Sequence, residues 1–292
     1  QPIAVTTALR ACQPAPPLRL LPALLVMMPL SVVAALLGAS CSAFAPKPLR
    51  GTPRRNAKRQ SLQMNVITDR PARAALAAAY VGFAGAIATF PGEFNNPADI
   101  QLIQDALNDP TSMNPVFFFI FNSLGLIPAV NAAVLLPGAK DQRPLPAAPF
   151  VASSFFAGYG GVGPYMILRE PRFGPIKRSE LGFFPRVVTE SKLFGAGLVA
   201  GAVGLYGGLL TQLSDGALSD YIDLAASSKL VSVSSVDFLI LSLFAFEPIK
   251  EDMSRRGWWG CYGDNDVGRL AAFCFPVLGP AAYVLLRPAL KD

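Results

Sequence analysis

Histidine is absent from all 292 residues. No Ser-His-Asp triad, His-ligated haem or zinc, or imidazole proton shuttle can therefore be built from this chain. Cysteine is nearly as scarce, with four in all. The two in the body of the chain, Cys261 and Cys274, match no metal-binding spacing and read as free thiols, with a single disulfide between them as the competing reading. Charge is thin as well, at 15% of residues, where soluble domains carry about 25%. No Gly-rich loop with a Lys-Ser/Thr pair is present to cradle phosphate. The run Gly158 to Gly163 breaks an apolar segment without the preceding strand or following acid of a dinucleotide site. These absences leave no catalytic motif, and they argue against an enzyme.

What is abundant is apolar sequence, 52% of the chain, and it comes in blocks. Residues 72–90, 115–137, 147–168, 193–213, 231–246 and 270–286 are six such blocks, with most of the charge between them. Most approach the roughly 17 to 25 residues that cross a bilayer as a helix. Hydrocarbon offers the backbone no hydrogen-bond partners, so helices are expected throughout. The pattern predicts an all-α integral membrane protein with about six membrane segments in contact with the lipid bilayer. Gly197 and Gly201, four apart on the fourth block, are candidates for close helix packing.

The first 65 residues have a different character. An apolar run at 20–37 follows Arg10 and Arg19, ends in small residues, and is followed by a basic stretch with no acid before Asp69. That order predicts a signal peptide over 1–43, a transit segment over 44–65 and a helical transmembrane domain over 66–292. A retained membrane helix is the competing reading of 20–37, which Pro22 and Pro29 weaken. The junction at Phe44-Ala45-Pro46 resembles the bipartite targeting presequence of complex plastids of red-algal descent. The resemblance implies a plastid membrane, thylakoid or inner envelope. The net charge of +6 owes much to Arg50, Arg54, Arg55, Lys58 and Arg59 in this segment, so it does not signal a nucleic-acid partner.

Charge between the blocks bears on topology. Residues 92–114 contain Glu93, Asp99, Asp105 and Asp109 and no Lys or Arg, whereas 169–192 and 250–269 hold most of the remaining bases. The positive-inside rule puts the basic loops on the stromal face and the acidic ones opposite. Loops 138–145 and 169–192 both read as stromal, yet a spanning third block would send them to opposite faces. The third block ends Gly163-Pro164-Tyr165 to Arg169, and the sixth ends Gly279-Pro280 to Tyr283 and Arg287. Spans one to three thus form a candidate three-plus-three internal repeat with spans four to six. Repeat and charge agree if the third and sixth blocks dip into the membrane and return.

Several residues stand out within this frame. Arg169 and Arg287, each beside a Tyr at the end of an apolar run, fit interfacial anchoring by snorkelling. Trp258 and Trp259 fit either headgroup anchoring or a docking surface. Glu190 and Glu247, near block edges, are the acids with a claim to an ion pathway, and pairing of Glu247 with Lys250 is the competing reading.

Two further resemblances bear on function. The fragment Asp264-Asn265-Asp266-Val267-Gly268-Arg269 resembles the pigment-binding helix of plastid light-harvesting proteins, which would imply chlorophyll or carotenoid at an interface. Val267 stands where that family has its Asn or His ligand, Asp264 replaces the usual Glu, and no second copy of the motif is present. Asn114-Pro115, the aromatic run from Phe117 to Asn122 and the two Gly-Pro to Arg-Pro ends are similar to uncharacterised multi-span plastid membrane proteins of algae and plants, over about 114–171 and 237–288. The expectation is a non-enzymatic accessory, assembly or linker component of a larger complex such as a photosystem. A small-solute or ion transporter or channel is the opposing class, and a divergent pigment-binding protein the third.

Overall fold

The structure, a computed structural model, describes residues 71–94, 96–109, 112–139, 145–260 and 265–290. The signal and transit segments, Phe44, Cys261 and Asp264 lie outside the described residues. Everything regular among the described residues is helical. In chain order these are α1 (Pro71–Thr89), α2 (Pro97–Asn108), α3 (Pro115–Leu135), α4 (Ala147–Leu168), α5 (Lys192–Gln212), α6 (Ala217–Ser227), α7 (Lys229–Phe244), α8 (Phe246–Arg255), α9 (Asn265–Phe273) and α10 (Leu278–Leu286).

Three helical stretches are long and apolar enough to cross a membrane: Pro115–Gly138, Lys192–Gln212 and Lys229–Arg255. The last contains α7 and α8. The pair α9 and α10 makes a fourth only if it is counted as one span, and it is bent by 119°. Helix α1 is apolar but shorter.

Local sequence sets where the long helices start. Asn114 caps α3 by accepting from the N–H groups of Val116 and Phe117, and Pro115 fills the first position, where no donor is needed. Ser228 caps α7 by accepting from Val231 N–H. Each cap also reaches the other half of the chain. Asn114 Nδ2 donates to Ala217 O at 2.8 Å, and Ser228 Oγ donates to Asp99 Oδ1 at 2.6 Å. The starts of α3 and α7 therefore lie at one end of the bundle with the short helices α2 and α6.

The opposite end collects the other termini. Arg73, at the start of α1, donates to Arg169 O at 2.7 Å, and Lys192, at the start of α5, donates to Arg287 O at 2.8 Å. Carbonyls at the end of α3 receive Arg255 and Arg287, on Val134 and Ala133 respectively. Thus α3 and α7–α8 run parallel, with α1 and α5 antiparallel to them.

The third and sixth apolar blocks do not run straight through. Helix α4 breaks at Gly158, whose φ of 51° is left-handed, and its two arms fold against each other. Phe150 stacks on Tyr165 with ring centroids 6.3 Å apart, although 14 residues separate them. In a straight helix those rings would be about 22 Å apart. The arms approach so closely that a Cβ on Gly161 would fall 2.7 Å from the Ser153 carbonyl carbon. The α9–α10 pair has the same design, since a Cβ on Gly279 would fall 2.6 Å from Ala272 O, and Phe273 packs edge-on against Tyr283 at 5.3 Å.

Both ends of the α4 hairpin lie at the same end of the bundle. Gly138 and the backbone of Arg172 both border Glu251, the latter donating to it at 2.8 Å. Loops 138–145 and 169–192 therefore start on one side, which removes the conflict in the charge pattern. Straight crossing by six segments gives way to four straighter blocks and two that turn back.

Candidate functional site

Helix α8 is short, apolar on little of its surface, and yet enclosed. Its sequence places Glu247, Glu251 and Arg255 at intervals of four, and Asp252 and Arg256 likewise. Such spacing stacks opposite charges on one helix face. Acids come first and bases last, in the order that complements the helix dipole.

Around α8 four arginines meet four carboxylates. Glu251, with no exposed surface, accepts from Arg169 Nη1 and from Arg255 Nη1 at 2.6 Å. Asp252, equally enclosed, accepts from Arg256 Nε at 2.7 Å, Tyr283 OH at 2.8 Å, Arg287 Nη1 at 3.0 Å and Arg255 Nη2 at 3.1 Å. Glu190 accepts from Arg256 at 2.5 and 2.9 Å and from Arg287 Nη2 at 3.0 Å. Glu247 Oε1 lies 3.4 Å from Arg169 Nη2. Backbone carbonyls take further donors, among them Thr189 O from Arg287 and Pro288 O from Arg256.

Balance is what makes this burial tolerable. An isolated buried charge costs several kcal/mol, and only dense pairing with additional hydrogen bonds offsets it. Burial by itself would weaken the Arg256 charge, but Asp252 and Glu190 outweigh it and raise its pKa above the ordinary guanidinium value.

Arg169 and Arg287, expected as interfacial anchors, are each 3% exposed and sit inside this cluster. A snorkelling guanidinium needs open headgroup space, and here carboxylates occupy that place. Their settings correspond. Each follows a fully buried Tyr by four residues, Tyr165 and Tyr283, and each backbone carbonyl holds the first cation of a long helix. Glu247 faces Arg169, whereas Lys250 lies over the Trp259 ring at 4.9 Å. Trp258 is wedged against Phe273 and Tyr283 with Arg269 over its face at 4.5 Å, so it closes the second hairpin. Within the fragment that resembles a pigment helix, Asp266 is occupied by Arg269 and by Gly260 N–H.

The glycine pair on α5 is only half used. A Cβ on Gly201 would meet Leu126 at 3.1 Å, while Gly197 faces open space. The close approach is instead at Gly195, where a Cβ would fall 2.7 Å from Leu285 Cα and where α5 meets α10.

A second centre lies deeper and escaped the sequence reading. Asp237, in the middle of α7, is 6% exposed, and its Oδ1 accepts from Tyr159 N–H at 2.6 Å. Among the described residues it belongs to no ion pair. It sits against the Gly158 turn, so closely that a Cβ there would fall on its carboxylate. Tyr159 is held by Tyr80, Phe83 and Phe244 rings at 5.9, 6.1 and 6.4 Å, and its OH donates to Leu76 O at 2.8 Å. The only sequence signal was an acid inside an apolar block, between Val236 and Phe238.

Comparison of the chain with protein-family models, with curated proteins and with solved structures finds no match.

Proposed function

We propose that this helical membrane protein is a transporter or channel for a small solute or ion, built from two like units: α1 to α4, and α5 to α10. The observation that carries this reading is the pair of hairpins that enter from one end of the bundle and turn within it. Broken helices expose backbone groups in an apolar medium and persist where they are buried in protein or line a pathway or a binding site, and transporters use them for the last of these. Like units are supported by the paired arrangements already described: Arg73 with Lys192, Gly161 with Gly279, Tyr165 with Tyr283 and Arg169 with Arg287. Both units run in the same direction, a parallel repeat of the kind some transporters use.

The plastid membrane, thylakoid or inner envelope, is proposed as the location on the presequence resemblance alone. The test is flux into vesicles reconstituted with the purified chain, across a panel of protons, alkali cations, small anions and neutral solutes. Flux above that of empty vesicles is expected for one class.

The accessory role has one observation in its favour. Phe156 is 95% exposed on the first hairpin, beside a half-exposed Phe155, and a neighbouring subunit would cover both. Vesicles without flux, together with comigration with a photosystem or another large complex on native electrophoresis, would favour that reading.

A further inference from the structure

We propose that Asp237 is a proton-binding site inside the membrane, alternating between carboxylate and carboxylic acid at the tip of the first hairpin. Its role as the driving-ion site rests on the transport reading above, but the site itself rests on geometry.

A lone carboxylate in hydrocarbon must be neutralised, by a cation or by a proton. The elements packed around Asp237 supply no cation to it. Helix α6 carries only Asp220, Tyr221 and Asp223 as ionisable residues, with Tyr221 OH bonded to Ser235 Oγ, and the cations of α8 are engaged elsewhere, Lys250 over Trp259 and Arg255 on Glu251 and Asp252. Helix α3 has no ionisable residue at all, and α4 offers only the phenols of Tyr159 and Tyr165. On α1 the ionisable groups are Tyr80, whose ring packs on Tyr159, and Arg73, which is committed to Arg169 O at the far end. Along its own helix, Lys229 lies eight residues away, about 12 Å, and reaches outward over Phe94. In the other direction Glu247 is ten residues on, about 15 Å, and faces Arg169. A metal ion would need several oxygen ligands, and no group of three His, Cys, Asp or Glu able to hold one exists among the described residues. That leaves the proton.

The site also accommodates the ionised form. Tyr159 N–H opens the returning arm of the hairpin, residues 159–168, and donates to Oδ1. The partial positive charge at that helix start favours a carboxylate. No hydrogen bond to Oδ2 is present among the described residues, so that oxygen is placed to take the proton. Proton binding converts the carboxylate to a neutral acid and weakens its hold on Tyr159 N–H. Release restores the charge and tightens the turn. Protonation is thereby tied to the position of the Gly158 turn, where the hairpin's backbone leaves helical geometry.

Dicyclohexylcarbodiimide tests the site directly in the reconstituted full chain. This apolar reagent reacts with carboxylic acids held in membranes: the acid proton moves to a carbodiimide nitrogen, the carboxylate oxygen bonds to the central carbon, and rearrangement leaves an N-acylurea. Labelling of wild-type protein is expected on the peptide containing Asp237, falling as pH rises. It should be lost in Asp237→Asn and retained in Asp237→Glu with a shifted pH profile. Absence of wild-type labelling at Asp237 across the pH range would overturn the proposal, even if solute flux persisted. Solute flux that is absent from wild-type vesicles would instead defeat the transport reading, while pH-dependent labelling would still support the proton site.

Discussion

The two buried charge centres of this protein solve opposite problems. Around α8, eight charged groups share one another's hydrogen bonds, and each is held by at least one partner of opposite sign. At Asp237 a single carboxylate meets one backbone N–H and no cation. Density makes the first centre rigid, since moving any member except Glu247 strips partners from at least two others. Isolation makes the second responsive, since only the carboxylate's own protonation state changes what it binds. One centre fixes the ends of the hairpins, and the other sits at a tip.

The difference can be broken by mutation, and the largest effect is expected at Asp252. Asp252→Asn removes the charge shared by Arg255, Arg256 and Arg287 and leaves four buried arginines facing three carboxylates, a loss of about 3 to 5 kcal/mol. Thermal unfolding in detergent should show a large drop in midpoint or no folded protein. An unchanged midpoint would mean that the cluster is wetter and looser than its geometry implies.

Next come the two hairpins. Gly161→Ala and Gly279→Ala each force a Cβ into backbone of the facing arm, costing about 1 to 3 kcal/mol apiece. Equal losses on thermal unfolding would sharpen the correspondence between the two units. A loss at one position alone would break it.

Glu247→Gln should matter less. Arg169 keeps Glu251, and the amide oxygen remains as an acceptor, so the expected cost is about 1 kcal/mol. Ion flux in vesicles should persist. Flux present in the parent and missing in this variant would move the pathway from Asp237 to Glu247.

The smallest effect on stability is expected at Asp237 itself. Asparagine still accepts from Tyr159 N–H, and it removes an unpaired charge from an apolar setting, so Asp237→Asn should leave the unfolding midpoint unchanged or raised. A fall comparable to that of Asp252→Asn would erase the contrast and place Asp237 among the structural groups.

Much of the fold was legible in the sequence. The six apolar blocks, their helical form and the Tyr and Arg at the ends of the third and sixth blocks are all visible in the order of residues. The fold-back of the third block was visible only as an inconsistency, because loop charge reports which side a loop occupies but not the path between loops. The cluster around α8 was hidden for a different reason. Hydropathy treats Glu251, Asp252, Arg255 and Arg256 as marks of an exposed loop, and their burial depends on Arg169, Glu190 and Arg287 arriving from elsewhere. Asp237 was overlooked because one acid barely alters the average of an apolar block. The i, i+4 order of acids and bases from 247 to 256 was the readable sign that this stretch is a helix able to neutralise its own charge.

The two helix caps at the other end carry a last consequence. Asn114 reaches the start of α6, and Ser228 reaches Asp99 of α2, so the cap of each of these long helices is tied to a short helix from the other half of the chain. On the duplication proposed above, an ancestral single unit could have been completed by pairing side by side with another copy inserted in the same orientation. Gene fusion would then have made a partnership permanent without reversing the direction in which either partner enters the bilayer.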